Sequence, residues 1–270
     1  VAQDQAHAAE LALRAGLDIE LPSGDSFLEP LTEAVRSGQV PMELIDRAAG
    51  RALKQKEELG LLDNDFSDEP PTQVDLDSPA HRAVAQELAE KSVLLLSNKG
   101  LLPLTSPSKI AVVGPNADRV PAMFGGYSFV NHVLSHHPGV EIGFEVPTVL
   151  ERVRSEWPQA EVNFAVGCEV DSSDDSQIAE AVAQAQAADV AIVVVGDQAG
   201  LFGRGTVGEG SDRDSLELPG VQRKLVEAVL DAGVPVVLVM LTGRPYAVDW
   251  ALGRAAAVVQ SFFPGEEGAG

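Results

Sequence analysis

The sequence predicts an α/β fold in which a mostly parallel sheet is sandwiched by helices and preceded by a shorter, mainly helical region. From residue 93 onward, short runs of apolar, largely β-branched residues alternate with helical patterns. Continuous runs of this kind are typical of parallel strands that are covered on both faces. Before residue 63 the periodicity is helical, apart from one short alternating segment. The change of pattern predicts two domains.

The N-terminal part contains three predicted helices, over residues 4–15, 31–36 and 42–59. Apolar and acidic residues alternate over residues 17–21, which predicts a short strand closed by Pro22. Residues 63–77 are acidic, carry Pro70 and Pro71 and show no periodicity. They are therefore the predicted linker, stiffened by the prolines.

The C-terminal part, residues 78–270, begins with a helix that Ser78 caps and Pro79 opens. Further helices are predicted over residues 148–157, 176–188 and 220–232. Strands are predicted over residues 93–96, 110–113, 162–166, 190–195, 234–241 and 257–260. Ligands bind beyond the carboxyl ends of such strands, where two long loops follow, residues 114–137 and 196–220. Loops of this length are uncommon without a functional reason.

The charge balance disfavours several kinds of partner. Lys and Arg number 19 against 41 Asp and Glu, which gives a formal net charge of −22. Such a charge repels nucleic acids, phosphate-rich ligands and anionic membranes, whereas a neutral sugar is compatible with it. The longest strongly apolar run, near residues 234–241, is far shorter than the ~20 residues that cross a bilayer. We expect neither nucleic acid nor membrane as a partner, and the cellular location stays open.

Gly203, Gly205 and Gly208 match the letters of the dinucleotide-binding fingerprint. That fingerprint requires a tight turn from a strand into a helix whose N-terminus holds the pyrophosphate. Here the predicted strand ends several residues too early, and the acidic, loop-like residues that follow would repel a pyrophosphate. We therefore interpret the lettering as incidental.

Glu209 stands between Gly208 and Gly210, which leave its side chain unshielded and let the backbone approach a ligand. A general acid must reach a leaving-group oxygen and needs a pKa near the working pH. A glutamate on a loop can meet both demands. From these residues alone, however, a solvated loop glutamate is the simpler interpretation.

The segment from Gly196 to Arg213 contains Gly-Glu-Gly-Ser-Asp-Arg and runs into Leu-Glu-Leu-Pro-Gly at residues 216–220. It resembles the C-terminal sandwich domain of glycoside hydrolase family 3. In that family the glutamate of this motif is the general acid/base, a role that the resemblance assigns to Glu209. Residues 15–22 and 55–63 resemble the last strand and the final helix of the family's (β/α)8 barrel. Residues 91–98, 101–104 and 110–117 resemble the entry to the sandwich domain and its first long strand.

The resemblance covers essentially the whole chain and implies its division. Residues 1–62 would be the C-terminal part of the barrel, residues 63–77 the linker, and residues 78–270 a sandwich domain truncated at its C-terminal end. The fold class is then an α/β sheet domain preceded by the last strand and helices of a barrel.

The resemblance also implies a sugar-binding aromatic at Gly125-Gly-Tyr127. Tyr127 is expected to stack on a sugar ring, and Phe124 or Phe202 to share that role, although simple loop packing fits equally well. Asp212 and Arg213 are expected to pair with each other and to shape the loop around Glu209.

Three histidines, His132, His136 and His137, suggest a zinc site. No Cys or acidic ligand stands at a suitable spacing, and the family needs no metal. We therefore expect no metal and no cofactor.

Retaining glycosidases need a second carboxylate, about 5–5.5 Å from the first, as nucleophile. In the family this is the Asp of Ser-Asp-Trp or Ser-Asp-Tyr on the preceding barrel strand, and the sequence contains no such motif; Asp249-Trp250 lies in the sandwich region. The family's sugar-binding Lys-His pair is absent too. The resemblance thus implies a fragment of a retaining, exo-acting β-glycosidase, in first place a β-glucosidase. It would act on a β-linked oligosaccharide or glucoside, would need the missing N-terminal barrel portion, and would be inactive alone.

Two alternatives remain open at this point. One is a non-catalytic α/β module that binds a carbohydrate or a nucleotide. The other is an accessory domain that has lost catalysis. A Ser-Asp-Trp-like strand end upstream of this chain would favour the enzyme, and its absence the accessory domain.

Overall fold

The structure, a computed structural model, describes residues 1–63 and 72–270. The chain forms two compact units, Val1–Val74 and Asp75–Gly270. Most of the predicted linker, including both of its prolines, lies outside the described residues.

The first unit contains helices α1 (Gln5–Ala15), α2 (Glu29–Arg36) and α3 (Met42–Glu58). The Asp4 side chain caps α1, and Gly16 ends it in the left-handed conformation at φ 99°. A small core of alanine, leucine and valine side chains joins the helices. The predicted helices are confirmed.

The strand predicted over residues 17–21 is wrong for this chain, because these residues form no regular structure. A strand needs a neighbouring strand for its N–H and C=O groups, and the described residues of this unit provide none. The apolar side chains of the segment are instead exposed, at 50% for Leu17, 57% for Ile19 and 83% for Leu21.

The second unit opens with α4 (Pro79–Ser92), whose first turn is capped by Ser78 as predicted. Four further helices follow: α5 (Val149–Glu156), α6 (Ile178–Gln186), α7 (Gln222–Asp231) and α8 (Asp249–Leu252). The strands are β1 (Leu94–Asn98), β2 (Lys109–Val113), β3 (Glu161–Ala165), β4 (Val190–Gly196), β5 (Val236–Leu241) and β6 (Ala257–Ser261). Each strand and each of α5–α7 lies within one or two residues of its predicted bounds.

The six strands form one sheet in the order β1-β6-β5-β4-β2-β3. Strand β1 runs antiparallel to β6 at one edge, and the other pairs are parallel. Alternate side chains of β2 lie on opposite faces of the sheet. Ala111 and Val113 pack in the layer of α6 and α7, whereas Ile110 and Val112 pack in the layer of α5. The sheet is therefore covered on both faces, as the continuous apolar runs predict.

The strand order places a topological switch point between β2 and β4. From β2 the chain turns to β3 on one side and then returns to β4 on the other. Ligands bind at such points, beyond the carboxyl ends of the strands. The two loops that leave there are residues 114–148, named the Tyr127 loop, and residues 197–221, named the Glu209 loop.

Strands β2 and β4 approach each other closely where these loops begin. A Cβ at Gly114 would lie 2.2 Å from the Val194 carbonyl oxygen, and the φ of Gly114 is 115°. Asn116, the second residue after it, donates from its side chain to the Asp197 carbonyl at 3.1 Å. The bases of the two loops are thereby tied together. Within the described residues, no helix is long and apolar enough to span a bilayer.

Candidate active site

The Glu209 loop is anchored by a buried carboxylate at its first residue. Asp197 is fully buried and accepts hydrogen bonds from Thr206 Oγ1 at 2.6 Å, Tyr246 Oη at 2.6 Å and Gly243 N at 2.9 Å. Burial raises the pKa of Tyr246, and the hydrogen bond to Asp197 raises it further. The phenol therefore remains a donor, so Asp197 holds the loop to the segment that follows β5.

Arg244 holds the loop on both sides of Glu209. Its Nη2 atom donates to the Thr206 carbonyl at 3.1 Å and to the Ser211 carbonyl at 3.0 Å. These two residues lie three before and two after Glu209 in the chain. The Glu209 carbonyl in turn accepts from Gly203 N at 3.1 Å. The backbone that carries the carboxylate is thus fixed, although its side chain is exposed.

The glycines of the Glu209 loop allow backbone segments of the same loop to pack closely against each other. A Cβ at Gly208, whose φ is 119°, would lie 1.8 Å from the Gly200 carbonyl oxygen, and one at Gly205 would lie 2.4 Å from the Gln198 carbonyl oxygen. Strand β4 ends at Gly196 and α7 begins at Gln222, so none of these glycines stands at a strand-to-helix turn. The geometry that a dinucleotide fingerprint requires is therefore not present.

Tyr127 reaches Glu209 from the other loop. Its phenol donates to Glu209 Oε2. This hydrogen bond is the largest cause of a raised Tyr127 pKa, and partial desolvation and the charge of the carboxylate add to it. The two residues, 82 positions apart in sequence, meet because their loops leave neighbouring strands at the switch point.

Aromatic rings extend the site from this contact. The His132 ring meets Tyr127 edge to face at 6.1 Å between centroids, and Phe202 at 6.4 Å. Tyr127 is 69% exposed and Phe202 67% exposed, so both rings are open to a ligand. Rings of this kind can pack against the C–H face of a sugar.

Phe124 does not join this group. It is only 8% exposed and packs edge to face on Phe144, with ring centroids 6.4 Å apart, in the core layer of α5. The expectation that Phe124 contacts a ligand is wrong, because a side chain in the core has no face left to offer. Tyr127 and Phe202 remain predictions.

Asp212 and Arg213 do not form the expected pair. Arg213 instead makes its ion pair with Asp171, at 2.6 Å, and this hydrogen bond raises the Arg213 pKa. Asp171 follows β3, so the contact ties the Glu209 loop to the segment that leaves the edge strand of the sheet. Arg213 still shapes the loop, through a partner that sequence spacing does not indicate.

Within the part of the chain that the structure describes, no group of three or more His, Cys, Asp or Glu side chains is arranged to hold a metal ion. His132 contacts aromatic rings, as described above, and lines a cavity together with His136.

Several residues of the site escaped the sequence analysis. Asp197, Arg244 and Tyr246 are not among the residues that the sequence predicts for the site, and the sequence suggests His132 only as a metal ligand. A signal existed for Asp197, since an acidic residue directly after a buried strand lies at the carboxyl edge of the sheet. The segment Thr242–Tyr246 occupies the same position after β5, but nothing local shows that its partner is Asp197.

A parallel α/β sheet with a carboxylate, a phenol and exposed rings over its switch point defines a ligand-binding or catalytic domain of the doubly wound class. Comparison with known proteins makes the assignment specific. The model of the glycosyl hydrolase family 3 C-terminal domain matches residues 93–270. The chain belongs to glycosyl hydrolase family 3.

Individual relatives agree with this assignment. A β-xylosidase from Formosa agariphila is 31% identical over 98% of this chain and 36% of its own length. A periplasmic β-glucosidase from Salmonella typhimurium is 30% identical over 99% of this chain and 36% of its own length. This chain thus spans about a third of the length of these relatives.

Solved structures give the same result. A β-glucosidase from Erythrobacter marinus superposes with a TM-score of 0.79 at 34% identity, covering 100% of this chain and 38% of that chain. A β-glucosidase from Listeria innocua in complex with isofagomine superposes with a TM-score of 0.82 at 26% identity, covering 100% of this chain and 35% of that chain. These relatives are glycoside hydrolases.

Proposed function

We propose that this chain carries the general acid/base, Glu209, of a retaining, exo-acting β-glycosidase. Within this class, a β-glucosidase is the first candidate. The nucleophile and most sugar-binding groups would come from barrel residues outside this chain. The observation that carries the proposal is the contact between Tyr127 and Glu209 at the switch point. This contact supports the proposal because it joins a carboxyl group on a fixed loop to exposed aromatic rings that suit a sugar.

In this role the Glu209 carboxyl protonates the leaving-group oxygen while a nucleophile attacks the anomeric carbon. The resulting carboxylate then takes a proton from water, which hydrolyses the glycosyl-enzyme. The Tyr127 phenol donates to Glu209 and so orients the carboxyl group towards the reacting atoms. Asp197 and Arg244 keep the backbone of the loop in place during both steps.

We also propose that residues 1–62 are the C-terminal part of a (β/α)8 barrel and that residues 63–77 link it to the sheet domain. The exposed apolar side chains of residues 17–21 support this, because a barrel strand would bury them between neighbouring strands and helices. The three surrounding helices fit the outer ring of such a barrel.

The test uses the full-length enzyme with Glu209→Gln and aryl β-glucosides and β-xylosides. For substrates with poor leaving groups such as phenol, kcat/KM should fall by about 100-fold or more, the usual contribution of general acid catalysis. For dinitrophenyl glycosides, whose leaving group needs no proton, kcat/KM should change little. Glu217→Gln, an exposed glutamate of the same loop that pairs with Arg223, is the control and should leave both rates unchanged. An equal loss on both kinds of substrate would contradict the acid role.

A further inference from the structure

A cavity of about 580 Å³ lies between the Tyr127 loop and the Glu209 loop. Its size is in the range of small-molecule sites. The lining is mostly apolar, and its ionisable side chains are Arg119, Arg204, His132 and His136, with no Asp or Glu among the described lining residues. The whole chain has 41 acidic and 19 basic residues, so a cavity lined by basic but no acidic side chains has the opposite charge balance.

Of the nine arginines of this unit, four form ion pairs with carboxylates, and five, including both arginines of the cavity, form none with the described residues. Arg213 and Arg223 form ion pairs with carboxylates, whereas Arg119 and Arg204 form none with any of the described residues. Burial lowers the pKa of Arg119, and the charge of Glu169 only partly offsets this. A partly desolvated guanidinium that forms no direct ion pair is stabilised when an anionic ligand supplies one.

The cavity adjoins the candidate active site through one shared side chain. His132 lines the cavity, and its ring also contacts Tyr127 and Phe202. Since Tyr127 donates to Glu209, the rings of His132 and Tyr127 connect the cavity to the carboxyl group that we assign to catalysis.

We propose that this cavity binds a sugar that carries a carboxylate, a uronic acid unit. The planar guanidinium fork matches a carboxylate with two parallel hydrogen bonds. The apolar walls, which include Val120, Leu134 and Ile142, suit the C–H face of a pyranose ring. If the ligand is the substrate, the aglycone of the hydrolysed glycoside carries a uronic acid. That part of the proposal rests on the proposed function. As a statement about binding, the proposal stands by itself.

The test measures binding to the 270-residue chain by calorimetry and needs no turnover. Methyl β-D-glucuronide should bind at least about tenfold more tightly than methyl β-D-glucoside, which lacks the carboxylate. Arg119→Gln and Arg204→Gln should each reduce or remove this preference. The second variant changes an exposed side chain, so its fold is not at risk. Arg154→Gln, the same change at an exposed position on α5, is the control and should keep the preference.

Equal affinity for the two methyl glycosides, no binding of either, or a preference that both cavity variants retain would overturn the proposal. Inorganic phosphate is the competitor that separates a sugar site from a general anion site. If phosphate displaces the glucuronide at equal or lower concentration, the assignment to a sugar is wrong. Loss of hydrolysis in the full-length enzyme without loss of glucuronide binding would affect only the proposed function.

Discussion

Glu209 is oriented by residues that lie far from it in the sequence. The phenol of Tyr127 reaches it across 82 positions, and Arg244 fixes the carbonyl groups on either side of it. The motif Gly-Glu-Gly therefore supplies the carboxylate and the freedom of the backbone around it, whereas other loops supply its hydrogen-bond partner and its support.

The Tyr127 pKa provides a test at the scale of a single contact. The hydrogen bond to Glu209 raises it above the ordinary value of 10.0. Because the pKa is higher in the folded state, this contact stabilises the fold at pH values below about 10 and loses its effect as the pH rises through the raised pKa. Glu209→Gln should move the Tyr127 midpoint down towards its ordinary value.

A phenolate absorbance titration measures this shift cleanly, since the chain has only two tyrosines. The other, Tyr246, has a pKa raised by burial and by Asp197, and Glu209→Gln leaves that environment intact. Glu217→Gln should leave both midpoints unchanged. A Tyr127 midpoint that does not respond to Glu209→Gln would show that the contact is not formed in solution.

The element that carries the site is a loop of 25 residues, 197–221, held by one buried carboxylate. Asp197→Ala would leave the Thr206 and Tyr246 hydroxyls and the Gly243 amide without their acceptor. Unsatisfied buried groups cost about 1–3 kcal/mol each, and hydroxyls can reorient in part. We expect a loss of about 2–4 kcal/mol in the free energy of unfolding, measured with urea.

The matched control is Asp231→Ala, which removes a carboxylate from a surface pair with Arg254. Exposed pairs contribute about 1 kcal/mol or less, so this variant should unfold nearly as the parent chain does. Trypsin provides a second readout, because release of the loop exposes the bonds after Arg204 and Arg213. Equal effects of the two substitutions would contradict the anchoring role of Asp197.

The sequence predicted elements well where the signal is local. Ser78 and Pro79 mark a helix start by cap chemistry, and the β-branched run of β4 predicts a strand buried on both faces. Strand order was not predictable, because similar apolar runs do not state which neighbour each one pairs with. The segment 17–21 shows the opposite failure, since an alternating pattern forms a strand only where a neighbouring strand is present.

The candidate site follows the same rule. Glu209 was found through a motif that resembles a known family, and the two loops through their length and their position after strands. Asp197 was missed because its importance depends on Thr206, Gly243 and Tyr246, which the fold brings to it from two segments. Phe124 was misplaced because loop and core phenylalanines look alike in sequence.

At the scale of the whole molecule, the chain matches about a third of the length of its relatives. The proposed function gives this chain one carboxylate of the two that a retaining mechanism needs. The purified 270-residue chain should therefore show no appreciable turnover of an aryl β-glucoside. The measurement is the release of the aryl group, followed by absorbance. Turnover above that of the Glu209→Gln chain would contradict the proposal that the second carboxylate lies outside this chain.

The central claim, that Glu209 is the acid/base of a retaining enzyme, is tested most directly by rescue with azide. In the full-length enzyme, Glu209→Ala removes the base that activates water, and the glycosyl-enzyme then awaits a nucleophile that needs no base. Azide should restore turnover of a dinitrophenyl β-glucoside and should yield the β-glucosyl azide, with retained configuration. Absence of rescue, or an α-glucosyl azide as product, would contradict the assignment of Glu209.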